Sequence, residues 1–374
     1  MNKWERDVKD LSAIAEREPQ AAYSAFIYGT SKRWMFVART TPNSSEVFRH
    51  LDWMINETFL PAIIGKEFIT DTMKAIFSLQ AKQGGLGITN MSEVADMEYE
   101  NSKLMTEELT ELIYTQQNIM KLDQKKLDNA SKTVEKRKID YQLTKRKELY
   151  DKLQPHEQRI IDLASEKGAS SWLTSLPLAE YGFVLNKQEF YDAILLRYNF
   201  KIKGVATMCA CGESNNVNHA MTCKLGGYIY LRHNNLRDTT AELLRSNGIC
   251  KDVETELCLI SGSGEVLSLG TTTEEDAKLD VCVRNLWAPF AKAFADISVL
   301  HPHAPSNAAK TIPAMYRAHE MEGSGSIMQE SLIWRRLPLH LLYSVRLEAW
   351  VPKPCAIFMR RHEDSSYSYH GRNT

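Results

Sequence analysis

A chain of 374 residues, 43% hydrophobic and 25% charged, is long enough for two or three domains with a sizeable core. Its 46 Lys and Arg against 47 Asp and Glu leave a formal net charge of -1, which excludes a global electrostatic pull toward nucleic acid or membrane. No run approaches the ~18 to 20 apolar residues that span a bilayer, and the opening MNKWERDVKD lacks the apolar core of a secretory signal, so an intracellular protein, nuclear or cytoplasmic, with no membrane partner is expected.

In chain order, residues 1–90 read as short helices broken by turns, with apolar positions in AAYSAFIYG and HLDWMINETFLPAIIG and a glycine-rich stop at QGGLGI. Residues 91–154 are long, charged and free of Gly, acidic at first (Glu93, Asp96, Glu98, Glu100, Glu107, Glu108, Glu111) and then basic, which predicts one or two exposed helices ending near Pro155. Two basic clusters, Lys136, Arg137, Lys138 and Lys145, Arg146, Lys147, are candidates to lie along a phosphate backbone; a solvated helix face is the alternative. Residues 155–208 return to globular helical patterning.

Residues 209–223, CACGESNNVNHAMTC, place Cys209, Cys211, His219 and Cys223 in a C-x-C-x7-H-x3-C spacing. Three thiolates and one imidazole are a soft, four-coordinate set suited to structural zinc, with every position filled and none open for catalysis. Gly212 permits a tight turn after the first pair, so that backbone amides can donate to the sulfurs. The alternative is buried thiols beside a surface histidine. Seven cysteines, an odd and scattered set, fit free thiols plus one metal site better than a disulfide framework.

After the knuckle, Leu236, Thr240, Leu243 and Leu244 fall on one helical stripe, with Arg232, His233, Asn235 and Arg237 assigned mostly to the other, hydrogen-bonding face. Three strand-like segments follow: DVETELCLI, KLDVCVRN and AFADISVL. Alternation puts Glu254 and Glu256 on one face of the first, Asp280 on one face of the second and Asp296 on one face of the third. Pairing of the strands could bring Asp280 and Asp296 to one spot, where two carboxylates would hold a hydrated divalent cation. Spacing alone does not make a catalytic pair, since isolated acids at strand ends are common.

The order of these pieces carries more than any one of them. A cysteine-histidine knuckle, then GGYIYLRHNNLRD, then AKLDV and FADISVLHP resembles the C-terminal part of non-LTR-type retrotransposon polyproteins. In these a reverse transcriptase is followed by a zinc knuckle and a restriction-like PD-(D/E)xK endonuclease. Upstream, EPQAAYSAFIYG, SKRWMFVART, FLPAIIG, QGGLGI and WLTSLPLAEYGFVLNKQEFYDAILLRY resemble the thumb and connector that follow the polymerase palm. The resemblance covers about residues 1–322. It implies magnesium-binding acids at Asp280 and Asp296, a supporting Glu256, and a DNA-facing role for Arg232, His233 and Asn234, to which the basic face adds Arg237.

Two departures limit what carries over. The palm with its Y-x-D-D aspartates has no counterpart in this sequence, so reverse transcription is not expected of it. The nuclease lysine, which positions the attacking water, is also displaced: two residues after Asp296 stands Ser298, and Lys310, in the loop-like SNAAKTIP, is the in-frame substitute. Re-reading the codons from Gly323 onward from their third base is compatible with a basic run, S-F-T-P and G-G-M-G in the family's order, which points to a one-base frameshift near Glu322.

The expected architecture is therefore α+β. It comprises a thumb-like helical region (1–90), a charged linker (91–154), a helical connector (155–208), a zinc knuckle (209–223), an incomplete α/β restriction-endonuclease-like core (224–322) and a disordered tail (323–374). Three functions follow as expectations: a retroelement remnant with residual binding to DNA or element RNA and little catalysis; a magnesium-dependent DNA endonuclease using Asp280, Asp296 and Lys310; or a protein-interaction protein using the charged helix.

Overall fold

The computed structural model describes residues 2–66, 68–116, 122–225, 228–246, 252–258, 278–286, 292–295, 297, 299–323, 331–333 and 346–348. Two compact units divide near Gly204 and Val205.

The first unit is helical throughout. It opens with α1 (Asn2–Ala15), α2 (Pro19–Ala25), α3 (Ser31–Thr40), α4 (Ser45–Met54), α5 (Leu60–Ile64) and α6 (Asp71–Ser78). Wide π-type turns, Phe26–Thr30 and Ile55–Phe59, join α2 to α3 and α4 to α5. Pro19 starts α2 at the position where its missing N–H costs nothing, and the Thr70 hydroxyl accepts from the Met73 amide to cap α6. Their apolar stripes meet in an aromatic core: Phe26 lies 4.7 Å from Phe59 and 5.5 Å edge-on to Trp34, and Trp4 stacks on Phe48 at 5.9 Å.

QGGLGI is a turn for steric reasons. Gly84 has φ 95°, and a Cβ on Gly85 would stand 2.0 Å from the Leu79 carbonyl oxygen. The next two elements, α7 (Met91–Tyr114) and α8 (Gln124–Tyr150), form an antiparallel hairpin; α7 starts where the Asp52 carboxylate accepts from the Met91 and Ser92 amides at 2.9 and 2.8 Å. Burial holds the Asp52 carboxyl above its usual range despite these bonds.

Helices α9 (Pro155–Ser165), α10 (Ser171–Thr174) and α11 (Lys187–Arg197) complete the unit, α9 and α11 each opening with a capping box, Gln154 with Glu157 and Asn186 with Glu189. Ile161, Leu173, Phe190 and Ile194 join the same core as Trp34 and Phe48. Arg197 sits inside it, donating to the carbonyls of Ala81, Ala164 and Ala169 and to Ser170 Oγ within 3.1 Å. Carbonyl dipoles thus solvate a buried guanidinium and tie α9, α10 and α11 to the glycine turn.

The second unit carries the knuckle with α12 (Val217–Ala220), then α13 (Tyr228–Ser246), then β1 (Val253–Cys258), β2 (Lys278–Arg284) and β3 (Lys292–Ala295) in an antiparallel sheet of that order. The first two strands lie inside the segments that alternation selects, while β3 overlaps only the start of AFADISVL, beginning at Lys292 and ending at Ala295. Val253 faces Val283, Thr255 faces Val281 and Val281 faces Ala295. Val281, Cys282 and Val283 are all buried, so the central strand is covered on both faces. Then come α14 (Pro305–Ala308) and α15 (Ile312–Gly323). A predominantly helical chain with a small antiparallel sheet belongs to the α+β class. Of the tail expected to be disordered, β4 (Ser331–Ile333) and β5 (Arg346–Glu348) are described and pair antiparallel, with Leu332 set against Leu347; the other residues after Gly323 lie outside the described set.

Candidate functional site

Two short segments build the cysteine-histidine cluster. The chain from Thr207 doubles back at Gly212, whose φ of 87° and amide bond to the Cys209 carbonyl make the turn; Cys209 N donates to Glu213 O and Asn215 N to Thr207 O. Cys209 therefore opens this tight turn and Cys211 stands at its third position. The Asn216 side chain caps α12 by accepting from the His219 amide, and the Cys223 amide donates to the His219 carbonyl, which brings the second pair of ligands round.

The four ligand atoms lie within 4.8 Å of one another. Cys209 Sγ is 3.6 Å from Cys223 Sγ, and Cys211 Sγ is 3.2 Å from His219 Nε2. The edges of a tetrahedral site with metal–sulfur bonds near 2.3 Å and a metal–nitrogen bond near 2.05 Å are about 3.8 Å and about 3.6 Å, so these two pairs stand within a few tenths of an ångström of such a site. At Cys211 a backbone hydrogen bond from Glu213 lowers the thiol pKa, but desolvation and the neighbouring thiols of Cys209 and Cys223 outweigh it and leave it raised. Crowding three thiols is what an ion would relieve, at the expense of their protons.

The acids lie on the sheet face covered by α13. Glu256 and Asp280 sit on neighbouring strands, between the pairs Thr255 with Val281 and Leu257 with Leu279, and are not themselves paired in the ladder. Glu256 has φ 55°, a left-handed backbone inside a strand, where a side chain is strained and the ladder breaks. Asp280 Oδ2 accepts from the Ile297 amide at 2.6 Å and lies 3.1 Å from His233 Nε2; its side chain is 13% exposed. Arg237 pairs with Glu256 and with Asp238, at 2.9 Å for the latter, and these acids hold its guanidinium above its ordinary pKa, Asp238 first. His233 and Arg237, one turn apart on α13, thus meet Asp280 and Glu256, one strand apart on the sheet.

Not every expected residue lands where pattern puts it. Arg232 is 6% exposed, and its Nη1 donates to Met221 O at 3.2 Å, so it faces the knuckle and not a nucleic acid. The reason is spacing: residue 232 precedes Leu236 by four, which puts it on the buried stripe with Leu236 and Thr240. Asn234 is exposed beside His233. Lys310 Nζ is 3.5 Å from Asn307 Oδ1. Asp296 and Ser298 lie outside the described residues, the described ladder ending with Val281 against Ala295.

In the hairpin, acidic α7 and basic α8 neutralise each other. Glu108 pairs with Lys126 at 3.5 Å, Glu98 with Lys138 at 2.8 Å and Glu93 with Lys145 at 2.6 Å, one antiparallel register. Arg146 pairs with Asp162 at 3.0 Å. Half of the two basic clusters is thereby engaged by acids; Lys136, Arg137 and Lys147 remain exposed.

Sequence pattern did not find Asn218 and His301. His301 Nε2 is 3.0 Å from Asn218 Oδ1, beside the candidate ligand His219, and burial, then His303 and Arg232, push its pKa down to about 4. Neither has a local signature, since the contact spans the whole unit. No described helix is long and apolar enough to cross a membrane. Comparison with protein-family models gives no match, and comparison with curated proteins gives none.

Proposed function

We propose that this chain is a retrotransposon-derived, nucleic-acid-binding fragment in which a structural zinc knuckle adjoins a restriction-endonuclease-like sheet of little or no cleavage activity. The observation that carries it is the combination, in one unit, of a compact Cys3His cluster with Asp280 and Glu256 on neighbouring strands, each contacted from α13. The donor set is soft and saturated, which favours zinc and a structural or binding role over catalysis at the knuckle. His233, Asn234 and the cations Lys136, Arg137 and Lys147 are the groups offered to phosphates and bases. Weak cleavage follows from the lysine displaced from its slot after Asp296, the loss of one such electrostatic partner costing on the order of 10²- to 10³-fold in rate.

A second reading, a working magnesium-dependent DNA endonuclease, is favoured by one feature: the left-handed backbone at Glu256, because strain of this kind concentrates at functional sites. Asp280 with Asp296 would hold the magnesium and Glu256 would support them; the ion, when bound, supplies Lewis-acid polarisation of the phosphoryl oxygen and an activated water. In this arrangement His233 and Arg237 offset the carboxylates and compete with the cation, while Lys310 would balance charge at the phosphate.

Both readings are tested with the full chain. Binding to DNA and RNA oligonucleotides across a salt series is expected to weaken steeply, by a slope near −0.9 per duplex phosphate neutralised. A flat response would rule out nucleic-acid binding and favour protein interaction through the charged hairpin. Nicking of supercoiled plasmid in magnesium, abolished by Asp280→Ala, would replace the first reading with the second.

A further inference from the structure

Neighbouring residues of α13 reach in opposite directions, one to the knuckle and the next to the acids. Arg232 reaches back, its Nη1 3.2 Å from the Met221 carbonyl oxygen and 3.4 Å from Met221 Sδ; His233, next to it, reaches forward to Asp280, and Arg237 to Glu256. Met221 lies between the ligands His219 and Cys223, and is itself 8% exposed. Asn218, next to His219, meets His301, which follows the third strand in the chain. The knuckle is therefore tied to two other segments of the unit, through Asn218, next to His219, and through Met221, two residues from His219 and from Cys223.

We propose that Arg232 is a latch through which metal occupancy of the knuckle fixes α13, and with it His233 and Arg237, over the acidic face of the sheet. The inference rests on the knuckle binding a metal, and adds that the metal controls a site it does not touch.

The physics is that of a short segment with little apolar core of its own. Residues 207–223 have Met221 as their one deeply buried hydrophobic side chain among the described residues, so their conformation depends on the ion joining Cys209 and Cys211 to His219 and Cys223. With the ion bound, the Met221 carbonyl is a fixed acceptor for a buried guanidinium. Without it the carbonyl moves and the buried guanidinium of Arg232 loses that acceptor, which favours release of the first turns of α13. His233 follows Arg232 by one residue and cannot hold its place while that turn frays.

The test is amide hydrogen exchange on the full-length protein, zinc-loaded and after removal of zinc by a chelator, with metal content measured in each sample. Removal is expected to raise exchange at least tenfold in 207–223 and also in the amino-terminal half of 228–246. Arg232→Gln with zinc retained is expected to reproduce the second change without the first. Cobalt(II) substitution guards against simple misfolding: Arg232→Gln should keep the ligand-field spectrum of the wild type, and Arg232→Lys, which restores a cation, should recover part of the protection. Bound zinc whose removal leaves 228–246 unchanged would overturn the latch and leave the metal reading standing. A chain that binds no metal would end both.

Discussion

The two units hold together by different means. The largest fully buried side chains described, among them Trp34, Phe26, Phe48, Phe59, Phe77 and Phe190, all belong to the first unit, where rings from α1 to α11 share one core. In the second unit the described buried side chains are smaller, Val253, Val281 and Val283 on the strands and Leu236 and Ala241 on α13, and directional contacts do more of the joining: the Cys3His cluster that could hold a metal ion, Arg232 to Met221, His301 to Asn218, His233 to Asp280. Dispersion and desolvation tolerate small shifts and add over many atoms; a few polar links fail one at a time.

The sharpest way to expose that difference is to remove the metal. Zinc binding to small Cys/His modules has apparent free energies of about 10–16 kcal/mol near neutral pH, part of which is folding energy. Chelation is expected to abolish or strongly lower a thermal transition belonging to the second unit while the transition of the first stays in place, as followed by calorimetry. The reciprocal experiment is Trp34→Ala, which empties a fully buried indole site. A loss of about 3–5 kcal/mol is expected in denaturant titration of the first unit, with zinc content unchanged. If both perturbations moved both transitions equally, the division of labour would be wrong.

Acid should separate the units by a smaller amount. His301, pushed down to about 4 by burial and then by His303 and Arg232, binds its proton later in the folded chain than in the unfolded chain, near 6.5. The unfolded state therefore holds more protons between those values, and stability of the second unit is present above about pH 6.5 and is lost as pH falls toward 4. After a discount for partial exposure the effect is about 2 kcal/mol. His301→Asn should flatten that acid limb in pH-dependent unfolding, and an unchanged limb would assign it to the thiol ligands.

How much of this the sequence discloses follows the range of the interaction. The Cys3His cluster was legible because its ligands lie within 15 residues and spacing constrains them; the strands were legible because alternation at Val253, Thr255, Val281 and Val283 is a local property. Arg232 was within reach, since its offset of four from Leu236 marks the buried stripe, but its charge argued for the surface. His301 with Asn218 was not legible: 83 residues separate them, and neither type is distinctive where it stands. Nor was the left-handed backbone at Glu256, for a glutamate carries no preference for it.

The charged hairpin teaches the same lesson in the other direction, because a feature plain in the sequence acquired a different role in the fold. Lys138 and Lys145 looked available to phosphates, yet each faces an acid on α7, and Glu98 is 6% exposed between Lys138 and Arg39. At Glu93 burial opposes ionisation, but Asn90, Lys145 and Tyr141 together hold the carboxyl below its usual range. Glu98→Gln keeps the shape and removes the charge. Because both cations remain partly in water, the expected cost is only about 1 kcal/mol, measured as a shift of the first unit's denaturation midpoint, and it should shrink in high salt. The same substitution releases Lys138 from its partner. If the hairpin contributes to nucleic-acid binding, Glu98→Gln should therefore tighten it and steepen its salt dependence by about one phosphate's worth; if affinity is unmoved while stability falls, the basic clusters serve the hairpin and Lys136, Arg137 and Lys147 are solvated charge.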